Sequence, residues 1–299
     1  MFRILFVIAL FISALNAQPF VEIARLGEEG KAPGQFRQPL ALDVTSEGKL
    51  VVVDSGNDRL QVFDLKGRLL RTAGGFGFGE DQFNHPVDVW ARTLINMYVS
   101  DYNNQRVVRL DRNFRFLSEL KSQDAWDTDF QFSEVLSCAI NSQNDLFVLD
   151  RGESKIVKIN RRDQPERIFG TYESGPGALE QPVQLDIFND NYLLVSDAAR
   201  AQIIVFDFFG TFISALGDNL LKAPAGLAAD DRFGIIVCDP ASAKILRIHP
   251  DLKTFSVPEL RLTRPLRHPA DAALVAQDHG RLLYILDQNQ LIILRQNLP

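Results

Sequence analysis

The sequence predicts an all-β fold, a six-bladed β-propeller closed by an N-terminal strand that completes the last blade. Three observations predict it: a short apolar run ending in aspartate occurs six times, the copies are evenly spaced, and the last copy lacks a strand that the start of the chain can supply. The runs end at Asp54, Asp101, Asp150, Asp197, Asp239 and Asp287, at intervals of 47, 49, 47, 42 and 48 residues. A period near 40–50 residues is that of a propeller blade built from four strands.

The elements follow in order. Residues 1–17 carry one basic residue, Arg3, ahead of the apolar run Ile4 to Leu15, and end in Asn16-Ala17. That is the layout of a secretory signal peptide cleaved after Ala17, and the run is short for a bilayer span. The expectation is therefore a secreted or periplasmic protein with no stable membrane insertion once the leader is removed. The mature part would then be the propeller itself, residues 18–299, with 282 residues and a net charge of −7, one positive charge fewer than the −6 of the whole chain.

Next comes Phe20 to Gly27, a spare strand resembling the fourth strand of other copies. Crossing loops follow, such as Gly34-Gln35-Phe36-Arg37-Gln38-Pro39 and Gly79 to Pro86. Glycine allows the sharp turn, Phe can plug the gap between blades, and Pro enters a strand without needing a donor. Pro leads the first strand of each copy except the third, where the reading aligns Glu134-Val135-Leu136-Ser137 with it. The Asp-ended run is the second strand. Runs such as Leu60 to Asp64 and Leu69 to Thr72 are the third and fourth. Each is short, rich in Val, Ile, Leu and Phe, and bounded by turn residues, as strands joined by tight turns are. After Leu291 to Arg295 only four residues remain, so the N-terminal strand is expected to fill the sixth blade.

Composition narrows the partners. With 32 Lys+Arg against 38 Asp+Glu, the chain lacks the basic excess that phosphate binding requires, so no nucleic acid is expected. Two cysteines, Cys138 and Cys238, lie in different kinds of strand and read as buried free thiols.

The string Gly48, Leu50-Val51-Val52-Val53-Asp54, Asn57, Arg59, Val62-Phe63, preceded by a Gly-rich loop with Phe-x-x-Pro, resembles the NHL repeat. The resemblance covers nearly the whole mature chain, is clearest in copies 1, 2 and 4, and fades in copies 5 and 6. It implies a six-bladed propeller with a central channel. Members bind proteins, RNA or carbohydrates, and a few relatives are enzymes, so fold does not fix function.

Candidate sites come from the ways in which the copies differ. Two residues after the strand-leading Pro stand Asp88, Gln184 and Asp271 in copies 2, 4 and 6, and Ala41, Leu136 and Gly226 in the others. The polar set would form a pseudo-threefold group near the channel entrance, with His85 and His268 beside it. Converging oxygens suit Ca²⁺ or another hard divalent cation. The competing reading is local hydrogen bonding to turn backbone or channel water. Asp43 and Asp186 form a second pair on facing blades, each expected to cap a local turn. The six repeated aspartates read as structural, accepting N–H bonds in the turn that follows. Arg59, Arg106, Lys155 and Lys244 either pair with them or form a basic ring. Tyr102, Trp90, Phe130 and Trp126 are candidates for an aromatic rim, with Trp90 expected in the core. Trp126, in the acidic loop Gln123 to Asp129, is the expected surface contact.

Two function classes stay open. One is a monomeric binding or scaffold module for a protein or glycan. The other is a metal-assisted enzyme of lactonase- or lyase-like chemistry at the channel mouth. Relatives resembling the peptide-amidating lyase carry His on inner strands. Here those positions read Leu40, Val87, Val135, Val183, Ala225 and Ala270, all apolar. The nucleophile motif Gly-x-Ser-x-Gly is absent.

Overall fold

The structure, a computed structural model, describes residues 18–297, and the leader expected at residues 1–17 lies outside the described residues. The described residues form six sheets, one per repeat, antiparallel within each blade apart from one short parallel pairing at the closure. Blade 1 is Pro39–Val44, Lys49–Asp54, Arg59–Asp64 and Leu69–Gly74. The first strands of the other blades are Pro86–Trp90, Val135–Ile140, Pro182–Phe188, Leu227–Asp230 and Pro269–Gln277. Each contacts the first strands of both neighbours, and the sixth returns to the first, so the ring is closed. The second strands end at the six predicted aspartates.

Closure follows the expected route and adds to it. Phe20–Leu26 pairs antiparallel with Gln290–Asn297, and Phe20 is buried against Phe233 with ring centroids 5.9 Å apart. A two-residue strand, Leu260–Arg261, then pairs parallel with Phe20 and Val21 and covers the outer edge. Covering that edge removes a row of unpaired backbone groups that would template aggregation.

The crossing loops work as their residues suggest. Phe36, Phe83, Phe132, Leu179 and Leu221 are buried, each three residues ahead of its first strand's leading position. Gly27 and Gly74 make room for the first two plugs. Both have φ near +90°, and a Cβ on either would sit 2.5 Å from the ring of Phe36 or Phe83.

Phe132 also corrects the alignment of blade 3. Val135 faces Asp150 as Pro39 faces Asp54, so Val135, and not Glu134, takes the leading position. The third-copy residue equivalent to Asp88 is therefore Ser137, and the one equivalent to Leu40 is Leu136.

The six aspartates are buried, and besides the following turn they also bind the crossing loop upstream. Asp54 accepts the Arg37 N–H at 2.7 Å, and Asp101 accepts that of Asn84 at 2.8 Å. Asp150, Asp197, Asp239 and Asp287 each accept two N–H groups from the end of the preceding crossing loop. Bonds from the turn that follows are added in blades 1 to 5, by the Asn57 and Asn104 side chains and by the backbone of Glu153, Arg200 and Ser242. The carboxylate thus ties a crossing loop to its own blade.

Arg59 and Arg106 pair with Asp54 and Asp101 at 2.7 Å and donate to crossing-loop carbonyls, so they form no basic ring. In blade 4 Arg200 does this work, donating to Pro176 and Ala178 carbonyls. Cys138 and Cys238 are free and buried. Among the described residues no helix is long and apolar enough to cross a membrane.

Candidate functional site

The first strands converge on the ring axis, and their leading ends open into a cavity of about 310 Å³. One residue after the leading position, five of the six first strands carry a bulge in their pairing. The bulge turns Leu40, Val87, Leu136, Val183 and Ala270 toward the cavity, and Ala225 joins them from blade 5. These six form an apolar collar. The sequence reading named Val135 for blade 3, but Val135 is fully buried and Leu136 lines the opening.

Below the collar, the structure brings Asp88, Gln184 and Asp271 together. The Gln184 Nε2 donates to Asp88 Oδ1 and to Asp271 Oδ2, both at 3.2 Å. The Gln184 Oε1 accepts the Leu227 N–H at 2.6 Å, which fixes the amide orientation. The set also laces the ring. Asp271 of blade 6 accepts the Leu42 N–H of blade 1 at 2.8 Å. Asp88 of blade 2 accepts the Ser137 hydroxyl of blade 3 at 2.5 Å, and Ser137 in turn accepts the Leu185 N–H of blade 4 at 3.0 Å. The set reaches to other blades and keeps the expected local bonding too, since Asp271 also accepts the Ala272 N–H at 2.8 Å.

This geometry bears on the cation expectation. The Gln184 oxygen is committed to Leu227, and its NH₂ points at both carboxylates. The three side chains therefore do not offer three free oxygens to one point. Among the described residues no group of three or more His, Cys, Asp or Glu is placed to hold a metal ion.

A second layer lies deeper. Asp43 and Asp186 do not cap their own turns alone. Arg92 spans the channel between them, with Nε 3.0 Å from Asp43 and NH1 2.7 Å from Asp186. Asp43 also accepts the Ala91 N–H of blade 2, and Asp186 that of Ala229 in blade 5, at 2.8 and 2.7 Å. Arg92 stacks 4.9 Å above Trp90 and plugs the axis.

Burial sets the electrostatics. It pushes the Asp88 carboxyl up to about 6, because the charged form loses water and its hydroxyl and amide donors only partly compensate. Burial also pushes Asp271 well above the usual carboxylate range, with Asp88 adding to the effect. Burial also raises both cysteine thiols, which keeps them protonated.

The rim carries His85, His268, Tyr102 and Arg151. His85 meets Tyr102 edge-on at 6.1 Å, and the Tyr102 hydroxyl donates to Glu134 at 2.7 Å. The expectation for Trp126 is overturned: it is 7% exposed and packs on Phe132 at 6.2 Å, thickening the crossing-loop plug. Phe130 packs against the same core, and Trp90 is buried as expected. Three residues of the site escaped the sequence reading. Ser137 could have been found from Phe132, which sets the Phe-x-x-Pro register. Arg92 and Arg151 have no repeat signal.

The comparisons agree with this architecture. The NHL repeat family matches residues 36–63. The chain is 44% identical over 57 residues to human (Homo sapiens) E3 ubiquitin-protein ligase TRIM32, covering 19% of this chain and 9% of that protein. It is 26% identical over 120 residues to the Drosophila melanogaster protein brain tumor, covering 40% and 11%. The chain thus spans about a tenth of the length of these curated relatives. A streptogramin B lyase structure superposes with a TM-score of 0.63 at 13% identity, covering 92% of this chain and 97% of that one. At that identity the likeness shows the fold. Fold and repeat together define the class, a six-bladed β-propeller. Within that class, residues 36–63 carry an NHL repeat.

Proposed function

We propose that this chain is an exported NHL-type propeller that binds a polypeptide partner at the channel mouth. One observation carries the reading. The mouth is an open cavity with an apolar collar, while the polar groups beneath it are committed to lacing the blades. An apolar, preformed concavity with few polar groups is the usual shape of a binding site. A protein is favoured over a glycan because the collar is aliphatic and both tryptophans, Trp126 and Trp90, are buried, which leaves Tyr102 to carry any stacking at the rim. The human relative is a ubiquitin-protein ligase, which is in keeping with a protein partner. The leader at residues 1–17 supports export, and N-terminal sequencing of the purified protein tests it.

The binding test uses a displayed peptide library selected on the full propeller. Selected peptides are then measured against Val183→Trp, which fills the mouth, and Leu94→Trp, an exposed residue in the turn after the blade 2 first strand, away from the leading ends. Val183→Trp should abolish binding and Leu94→Trp should preserve it. The reverse pattern would overturn the reading. A second reading, lactonase- or lyase-like chemistry at the same mouth, draws on Asp88, whose carboxyl near 6 suits acid–base work. Turnover of lactone or ester probes that Asp88→Asn abolishes would favour it.

A further inference from the structure

The channel wall is unbalanced in charge. Asp43, Asp88, Asp186 and Asp271 are all buried there, and Arg92 is the cation among them. Arg92 serves Asp43 and Asp186. Among the described residues Asp88 and Asp271 have no ion-pair partner, and their ligands are neutral N–H and O–H groups. A buried carboxylate without a counter-charge is costly, and a cation brought by a ligand would offset that cost.

The geometry offers that cation a route. Asp88 lines the cavity, directly below the collar. Its Oδ1 accepts the Gln184 amide at 3.2 Å, the Val89 N–H also favours the carboxylate, and a carboxylate oxygen has capacity for more than one donor. The wall above it is aliphatic on all six blades. A ligand that fits both features has an apolar shank several methylenes long and a terminal donor cation. Lysine and arginine side chains have this form, and they lay their alkyl stems along apolar surface while the head finds a polar partner.

Resting on the reading of the mouth as a polypeptide site, we propose that it takes a basic side chain of the partner, its shank against Leu40, Val87, Leu136 and Val183 and its charged head on Asp88. A bare hard cation fits less well, because the Gln184 NH₂ already faces both carboxylates. At the rim Arg151 stands beside Glu134 at 3.9 Å, which offsets its charge there.

The test follows the mouth methyl groups of Leu136 and Val183 by NMR in the full propeller. The probes are Ac-Gly-Gly-Xaa-Gly-Gly-NH₂ with lysine or norleucine at Xaa, n-hexylammonium, and CaCl₂, each to about 10 mM. The lysine peptide should bind at least about tenfold tighter than the norleucine peptide, and Asp88→Asn should erase that ratio. Val183→Trp, which keeps Asp88, should block both peptides, and it supports the site if Asp88→Asn fails to fold. If norleucine binds as well as lysine, the mouth remains a peptide site and the basic anchor is wrong. If hexylammonium binds and the lysine peptide does not, the occupant is a small amine and the polypeptide commitment falls. If Ca²⁺ shifts the mouth in an Asp88-dependent way and the lysine peptide does not, the site is a metal site. If no probe shifts the mouth, both the anchor and the reading beneath it fail.

Discussion

Replacing Asp88 with asparagine should change how stability depends on pH. Burial lifts the Asp88 carboxyl from 3.8 to about 6 in the folded protein. Between those values the folded chain holds a proton that the unfolded chain has released. Stability from this group therefore falls as pH rises through the window, and the loss is complete above about pH 6. The shift corresponds to about 3 kcal/mol at 1.36 kcal/mol per pKa unit. Asparagine can take the site of the protonated acid: its Nδ2 would donate to Ser137 Oγ while its oxygen accepts from Gln184. The variant should therefore equal the wild type near pH 4 and gain on it with rising pH. The gain should approach about 3 kcal/mol at neutral pH, and relief of Asp271 adds to it. Urea melts of both proteins across about pH 4 to 8 measure the difference. Glu22 and Asp251, both held near 2 by their donors, steepen acid unfolding in both proteins alike and cancel. Parallel stability curves would refute the claim that Asp88 is buried without a counter-charge.

Other perturbations test the frame. Arg92→Met should cost about 3–5 kcal/mol at neutral pH by leaving Asp43 and Asp186 buried without their cation, and the deficit should shrink on acidification. Asp54→Ala should cost a similar about 3–5 kcal/mol, since Arg59 and the Arg37 N–H lose one acceptor together, and thermal melting reads it. Trp126→Ala should cost about 3–5 kcal/mol in a urea melt and leave peptide binding unchanged, as befits a core residue. Deleting Phe20 to Leu26 should lower the melting temperature of the whole ring and promote aggregation; a truncated protein that melts like the full one would break the closure account.

The ring was legible because its signal is repeated. Six Asp-ended runs, the Pro-led strands and the orphan strand at Phe20 place the blades and their closure. The two-residue strand Leu260–Arg261 was not legible, since two residues carry no periodicity. The site was only partly legible. Asp88, Gln184 and Asp271 stood out because they break the repeat, and they do meet at the axis. Their partners did not stand out, because the blade-to-blade bonds join residues about 43 to 229 apart in sequence. Blade 3 misled through its missing Pro, which hid Ser137 by one position. Trp126 misled through its acidic neighbours, which describe the loop's surface and not the side chain that plugs the core.

The most direct test of the central claim is a crystal structure of the propeller with a peptide selected for binding. The account predicts that the peptide sits on the leading ends of the first strands, with a basic side chain passing Leu136 and Val183 to reach Asp88. A peptide bound on the outer blade edges, or at the Arg92 end of the channel, would contradict it.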